Sequence, residues 1–547
     1  MKHIGTMFMA GALALSATSC SDFLDTEPKD ALSPSNTWLT QDDAEKFLIG
    51  CYDYWEDPSL LLYWDAGSDF AYANFPWEGL TNIGNGSLSA GSPGWSLYDF
   101  SKIRQVNTLL ENIDKCGIAD EAAKTAIVAQ ARFIRAYQYF KMNWNYGGVA
   151  LIGNFASAEE ARVPRNTEAE VREYVEKELD EIIPLLPVAA EKGRITRGAA
   201  LALRMRGALY YGDWAKAKEC AQQIIGLGEY SLDDSFANVF NVKGQDSPEI
   251  ILAIQSLENT YSLYTIGQLY NNGEGGWSSV VPTQHVVNNF EMANGMAIDE
   301  PGSGYDATHP FANRDPRLAM TVLYPGCDYT TSEGIKAVFN TLDKEIKGEP
   351  NPNFYTKADN SSKTGLTWYK YQEPITQYAD MWATTCNVIV FRYAEVLLSL
   401  AEASNELSGP SAEVYEALDQ VRQRVGMPKV DQGKYGTKEK LRELIRRERG
   451  AELAGEGLRR ADILRWKTDD GKMVAEQVLN ETLERMIGTV DMAGENPETR
   501  ATIDTDPGKA AERKVEDRVF KAHNRYLPIP TDALDANKGV LNQNDGY

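Results

Sequence analysis

From Asp120 to Tyr146 the residues Ala126, Ala129, Phe133, Tyr137, Phe140 and Trp144 recur at steps of three and four, and Gly147 and Gly148 stop the run. That spacing draws one apolar stripe along a long helix, which has to be buried against other helices. Two further regions repeat the pattern. A helix opens on a capping box, Thr167-x-x-Glu170, continues through Val171, Val175, Leu179, Ile182 and Leu186, and ends at Pro187. Thr196 to Leu227 then reads as a helical hairpin: Ala199 to Tyr211, a turn at Gly212-Asp213-Trp214, and Ala217 to Ile225. Small residues where the arms cross and an aromatic after the turn give it the look of a tetratricopeptide unit. Val390 to Leu407 and Ala412 to Val425 form a comparable pair around Gly409-Pro410, and Lys438 to Lys467 reads as another long helical stretch.

The rest has a different texture. Residues 65–101 and 259–378 are rich in Gly, Asn, Ser and aromatic residues without any period. Loops of that length in a compact protein are commonly functional. The expected architecture is therefore all-α: a helical-repeat scaffold packed against a large loop-rich region. Residues 469–517 are polar and are expected to form a surface insertion.

The first residues carry a second message. Lys2, the apolar stretch Ile4 to Leu15 and Ala17-Thr18-Ser19 lead into Cys20, as in a secretory signal too short to span a bilayer. A cysteine directly after such a cleavage site resembles a bacterial lipobox, which predicts acylation at Cys20 and anchoring in membrane lipid. Residues 1–19 are thus expected to be the signal and 20–36 a tether, followed by an N-terminal region over 37–240 and a C-terminal one over 241–547. Cys51, Cys116, Cys220, Cys327 and Cys386 remain, an odd number with no CxxC pair, so no disulfide framework is expected and at least one thiol stays unpaired. With 55 basic against 79 acidic residues, a net charge of −24, nucleic acid is not expected as a partner.

Six motifs in order resemble the SusD/RagB family along nearly the whole chain. They are Cys20-Ser21-Asp22-Phe23-Leu24-Asp25; Ala131-Arg132-Phe133-Ile134-Arg135 with Tyr146-Gly147-Gly148-Val149; Pro164-Arg165-Asn166-Thr167; Arg392-Tyr393-Ala394-Glu395 through Glu402; Glu448-Arg449 through Arg465-Trp466; and Tyr526-Leu527-Pro528-Ile529-Pro530 with Leu541 to Tyr547. The resemblance implies about four tetratricopeptide-like helix pairs. It also implies a lipid-anchored glycan-binding protein of the outer membrane, facing the cell exterior. Such a protein would pass oligosaccharide to a SusC-like TonB-dependent barrel without catalysis. Two departures stand out: Ala17 takes the place of the common lipobox leucine, and residues 469–517 match no family motif. Two other readings are a protein-binding adaptor of that transporter with no sugar site, and, last, a surface glycoside hydrolase.

Catalytic chemistry is thin. Glu448, Arg449, Glu452, Glu456, Arg459, Arg460, Asp462 and Arg465 stand at helical spacing and are read as a salt-bridge ladder, with Arg392 and Glu395 in the same class. His285, His309 and His523 lack zinc-site spacing, and no GxSxG occurs. No cofactor or catalytic metal is expected. Asp504 and Asp506 could offer oxygens to a structural calcium, but they lie far from an EF-hand pattern, and an acidic surface turn is preferred. A sugar ring presents an apolar C–H face and a rim of hydroxyls, which aromatic and polar side chains respectively match. Trp144, Trp214 and Trp466 fall on predicted helices and are read as core. The aromatic platform is sought among Trp77, Trp95, Tyr98, Trp277, Tyr305 and Trp368, with Asp69, Asn74 and Asn82 as polar company. Two or three of them are expected to touch ligand.

Overall fold

A computed structural model describes residues 37–356 and 359–547; the signal, Cys20 and the tether lie outside the described residues. Ten helices carry the scaffold: α1 (Gln41–Tyr52), α2 (Ser101–Asn112), α3 (Glu121–Tyr146), α4 (Glu168–Ile182), α5 (Arg197–Tyr210), α6 (Trp214–Leu227), α7 (Tyr393–Ser408), α8 (Ala412–Arg424), α9 (Lys438–Leu453) and α10 (Arg459–Arg465). Consecutive helices pack as four pairs, α1–α2, α3–α4, α5–α6 and α7–α8. The third and fourth pairs join through α6 and α7, and α9 lies along α7.

Local chemistry sets most boundaries. Thr167 accepts a hydrogen bond from the Glu170 N–H at 3.2 Å, while Glu170 Oε2 accepts from the Thr167 N–H at 2.8 Å, closing the expected box. Asp213 caps α6 by accepting from the Lys216 N–H at 3.1 Å, which turns the α5–α6 hairpin where the sequence placed it. Trp144 and Trp466 are buried, and Trp214 packs half-buried against Ala208, Leu209 and Ala403.

Some expectations change. The stretch 438–467 is not one helix: Gly455 and Gly457 take φ of +76° and +75° between α9 and α10. A side chain there would be strained and would meet Trp368 and the Leu61 carbonyl, so glycine both breaks the helix and lets neighbours close in. The polar segment 469–517 is not merely an insertion on the surface. Its residues Ala475, Leu479, Leu483 and Ala501 are buried.

Strands are short: β1 (Ala71–Ala73), β2 (Ile250–Ile254), β3 (Val280–Pro282), β4 (Val322–Leu323), β5 (Thr367–Trp368), β6 (Val388–Arg392), β7 (Thr482–Glu484) and β8 (Lys514–Asp517), with further two-stranded pieces in the loops. They pair antiparallel as β1–β3, β2–β6, β4–β5 and β7–β8. Strand β6 replaces the start of the helix expected from Val390.

The core is partly ionic. Arg317, Arg392, Arg449 and Arg460 are among the largest fully buried side chains. Arg392 binds Glu249 at 2.6 Å, Glu452 at 2.7 Å and Glu456 at 2.7 Å; Arg317 binds Asp315 at 2.6 Å, Glu448 at 2.7 Å and Glu452 at 3.0 Å. Arg465 bridges Glu402 at 2.6 Å and Asp462 at 2.7 Å. Charges this deep persist only when each has partners. The Glu–Arg ladder is scaffold, and it ties α9, α7 and the segment before β2 into one block.

Candidate functional site

The two irregular regions are joined by one ladder. In β1–β3, Tyr72 faces Val281 and Ala73 faces Val280, and Asn74 donates its N–H to the Ser279 carbonyl at 2.8 Å. Leu483, from the segment expected to be an insertion, packs with Tyr72 and Val281 and so supports the ladder.

Aromatic residues leave both strands at the same end. After Phe75, Pro76–Glu78 make one tight turn, and the Phe75 and Trp77 rings stack at 4.7 Å and 20°. Trp77 is 79% exposed. Trp277, two residues before Ser279 on the other strand's approach, is 40% exposed and lies 5.3 Å from Trp382 at 55°. Trp382 closes over Gly267, where a Cβ would meet its ring at 2.7 Å. Gly267 belongs to the short helix Tyr264–Leu269, whose first residue is exposed. The next residue, Gln268, holds the arrangement from behind: its carbonyl accepts from the Ser279 N–H at 3.0 Å and its side chain from the Tyr63 hydroxyl at 2.7 Å.

The polar company at this end is Glu78, Gln268 and Ser279. Burial pushes the Glu78 carboxyl up from its usual range, with the Ser279 hydroxyl opposing. Glu78 is half-buried and Ser279 fully buried. Exposed ring faces can hold a ligand that presents an apolar face.

Of the residues sought from the sequence, Trp77 and Trp277 leave the same end of the β1–β3 ladder. Trp95 is half-buried behind them, edge-on to Tyr63 at 6.3 Å. Tyr98 sits apart, against Tyr146 at 5.1 Å, in a groove of about 570 Å³ shared with Phe100 and Phe155. Tyr305 lies against the Arg314 guanidinium, 5.5 Å from its ring centre. Asn82 is satisfied within its own loop by Ser92 at 2.6 Å and Ser87 at 3.1 Å.

Three expectations are corrected outright. Trp368 is 2% exposed, held in β5 opposite Val322 and against Gly455. Asp69 is buried in a two-pronged pair with Arg459 at 2.8 and 2.9 Å. That cation, with the Asp69 backbone N–H, holds the carboxyl below its usual range although burial pushes it up. Asn74 is buried and spends its amide on the Ser361 carbonyl and the Lys363 N–H. All three serve the frame under the aromatic end. Tyr264 was not singled out in the sequence; the small Gly267 is the one local sign that a ring closes there.

Among the described residues no group of His, Cys, Asp or Glu is placed to hold a metal ion. Asp504 pairs with Lys509 at 2.5 Å, and Asp506 accepts from the Gly508 N–H at 2.9 Å. No helix among the described residues is long and apolar enough to cross a membrane.

Helix pairs carrying an aromatic loop face define a class of helical-repeat scaffolds, and comparison with known proteins agrees. The model of the SusD family matches residues 248–547, and a second one, starch-binding associating with outer membrane, matches 71–209. The chain belongs to the SusD family. It is 25% identical over 499 residues to SusD-like protein P25 of Formosa agariphila, covering 83% of this chain and 88% of that one. A SusD-like carbohydrate-binding protein from Bacteroides fragilis superposes with a TM-score of 0.77 at 26% identity, over 92% of this chain and 99% of the other. A laminarin-binding SusD-like protein shares the fold at 20% identity, with a TM-score of 0.66 over 93% and 100%.

Proposed function

We propose that this protein is a non-catalytic, lipid-anchored capture protein for neutral glycans at the cell surface, which hands its ligand to a SusC-like TonB-dependent barrel. The observation that carries the reading is the solvent-exposed Phe75–Trp77 stack, which leaves the same end of the β1–β3 ladder as the approach bearing the Trp277–Trp382 pair. An exposed indole covers the C–H face of a sugar, and Trp77 and Trp277 both present one to solvent. The carbohydrate-binding relative from Bacteroides fragilis and the family's association with the outer membrane support the ligand class and the location. Cys20 supplies the anchor in this reading, and the barrel partner rests on family membership.

Native gels cast with starch, laminarin, xylan or galactomannan test it on residues 21–547, with each sample assayed for released reducing sugar. Retardation in at least one gel without release is the expected result. Release of reducing ends would make the protein a hydrolase. Co-purification with the barrel but no retardation in any gel would favour the protein-binding adaptor.

A further inference from the structure

The aromatic end described above does not stop at Tyr264. Three residues earlier, Tyr261 is 47% exposed and lies 6.1 Å from Tyr54, itself 70% exposed. The two rings flank a groove of about 390 Å³ between the C-terminal end of α1 and the end of β2, with Glu56, Arg194, Gln255 and Leu263 among its lining residues. Tyr54 adopts φ of +47°, a conformation that side chains other than glycine seldom take and that is retained where surroundings enforce it. Two lining residues also carry orphaned polar atoms: Glu56 Oε2 and Arg194 Nη1 are sealed from solvent without a hydrogen-bond partner. The other Glu56 oxygen is taken by Lys141 at 2.8 Å, and the Arg194 guanidinium stands 5.6 Å from the centre of the Tyr52 ring.

Resting on the proposed function, we infer that this groove is a second glycan subsite, which holds later sugar units of a chain whose first units lie on Trp77 and Trp277. Continuity supports this. Tyr261 and Leu263 line the groove, Tyr264 follows, and the helix it opens carries Gly267 under Trp382. Three residues of chain span at most about 10 Å, so Tyr261 lies within that reach of Tyr264, which opens the helix under Trp382. The occupant's chemistry follows from the lining. Gln255 and the Arg194 guanidinium, which pairs with Glu45 at 3.5 Å, give the groove polar edges between its two exposed tyrosines. A sugar both donates and accepts at each hydroxyl and offers a C–H face to each tyrosine. The net charge of −24 disfavours an acidic polymer. A groove that grips only long ligands would make the protein select polymer over short fragments.

The test compares wild type with Tyr54→Ala/Tyr261→Ala, Tyr54→Phe/Tyr261→Phe and Trp77→Ala, all as residues 21–547. Retention is measured in gels of starch, laminarin, xylan and galactomannan, and Kd by calorimetry for the tetrasaccharide of the retained polymer. Both tyrosines are exposed, and an unchanged Tm confirms folding. The alanine pair should bind the polymer about tenfold more weakly and the tetrasaccharide within about twofold of wild type. The phenylalanine pair, which keeps the ring faces, should bind the polymer like wild type, and Trp77→Ala should weaken both ligands. Unchanged polymer retention by the alanine pair, with Trp77→Ala still impaired, overturns the second subsite and leaves the proposed function standing. Loss of barrel co-purification with unchanged polymer retention assigns the groove to protein and also overturns it. If wild type is retained by none of the polymers, the proposed function falls and this inference with it.

Discussion

Asn74 donates its backbone N–H to the Ser279 carbonyl at 2.8 Å, one rung beyond the paired Ala73 and Val280. That rung sets the distance between the turn bearing Phe75 and Trp77 and the approach bearing Trp277. If the pair acts as one platform, each ring should matter separately. Trp77→Ala and Trp277→Ala are each expected to weaken glycan binding by about 1–2 kcal/mol, five- to thirty-fold in Kd by calorimetry, at unchanged Tm. Trp368→Phe, deep under the loops, should instead lower Tm and leave Kd within about twofold; the reverse pattern would refute the assignment.

Gly276 precedes Trp277, and a Cβ there would run into the Tyr270 carbonyl and side chain. Backbone cannot yield as a flexible side chain can, so Gly276→Ala should displace the Trp277 approach. We expect it to reduce affinity at least as much as Trp277→Ala does, although it removes no ligand-facing atom. Wild-type affinity in Gly276→Ala would show that this approach does not position the indole.

Arg392 is held by Glu249, Glu452 and Glu456, all buried. Arg392→Met would remove the one cation shared by all three carboxylates, leaving them only Arg424, Arg317 and Lys370. Removal of one partner from such a buried set costs about 3–5 kcal/mol. Urea unfolding should show a loss of that size, with glycan binding preserved in whatever fraction folds. A change under about 1 kcal/mol would contradict the scaffold role.

The five described cysteines are all free and buried. Burial pushes the thiols of Cys51, Cys220 and Cys327 up to about 12, so almost no thiolate exists at neutral pH. In native protein a disulfide reagent such as DTNB should find none of the five reactive within minutes, and all five after denaturation. Reducing agent should leave Tm unchanged. Rapid labelling of any of them in the native state would contradict this burial.

His285 gives a pH dependence. Burial alone would push its imidazole down, but the Glu481 carboxylate at 2.5 Å and the Asp69 charge outweigh it and hold the folded value above 6.5. A folded value raised above the unfolded one stabilises fully below the unfolded pKa, and that contribution is lost as pH rises through the folded value. Between pH 6 and 8.5, Tm should therefore fall more in wild type than in His285→Gln. Parallel curves would show that the pair adds nothing.

Much of the scaffold could be read along the chain, because a helix is decided within a few residues. The three-and-four spacing of Ala129, Phe133, Tyr137 and Phe140, the Thr167–Glu170 box and the Asp213 cap all act locally, and the structure keeps them. The dense charges of α9 and α10 could likewise be assigned to ion pairs from spacing, though not to their partners on other elements. The helix break at Gly455 was missed, since its reason is the approach of Trp368 from far away in sequence. The same limit governs the aromatic residues. Trp77 and Trp368 stand in equally aperiodic surroundings, and nothing local separates them. Tertiary structure does: Trp77 lies exposed beyond the last rung of β1–β3, while β5 pairs with β4 and carries Trp368 into the core. The sequence by itself determined the helices and the aromatic stock of the loops. Only the long-range pairing of short strands decided which rings face solvent, because burial in an aperiodic segment depends on a partner that local spacing does not encode.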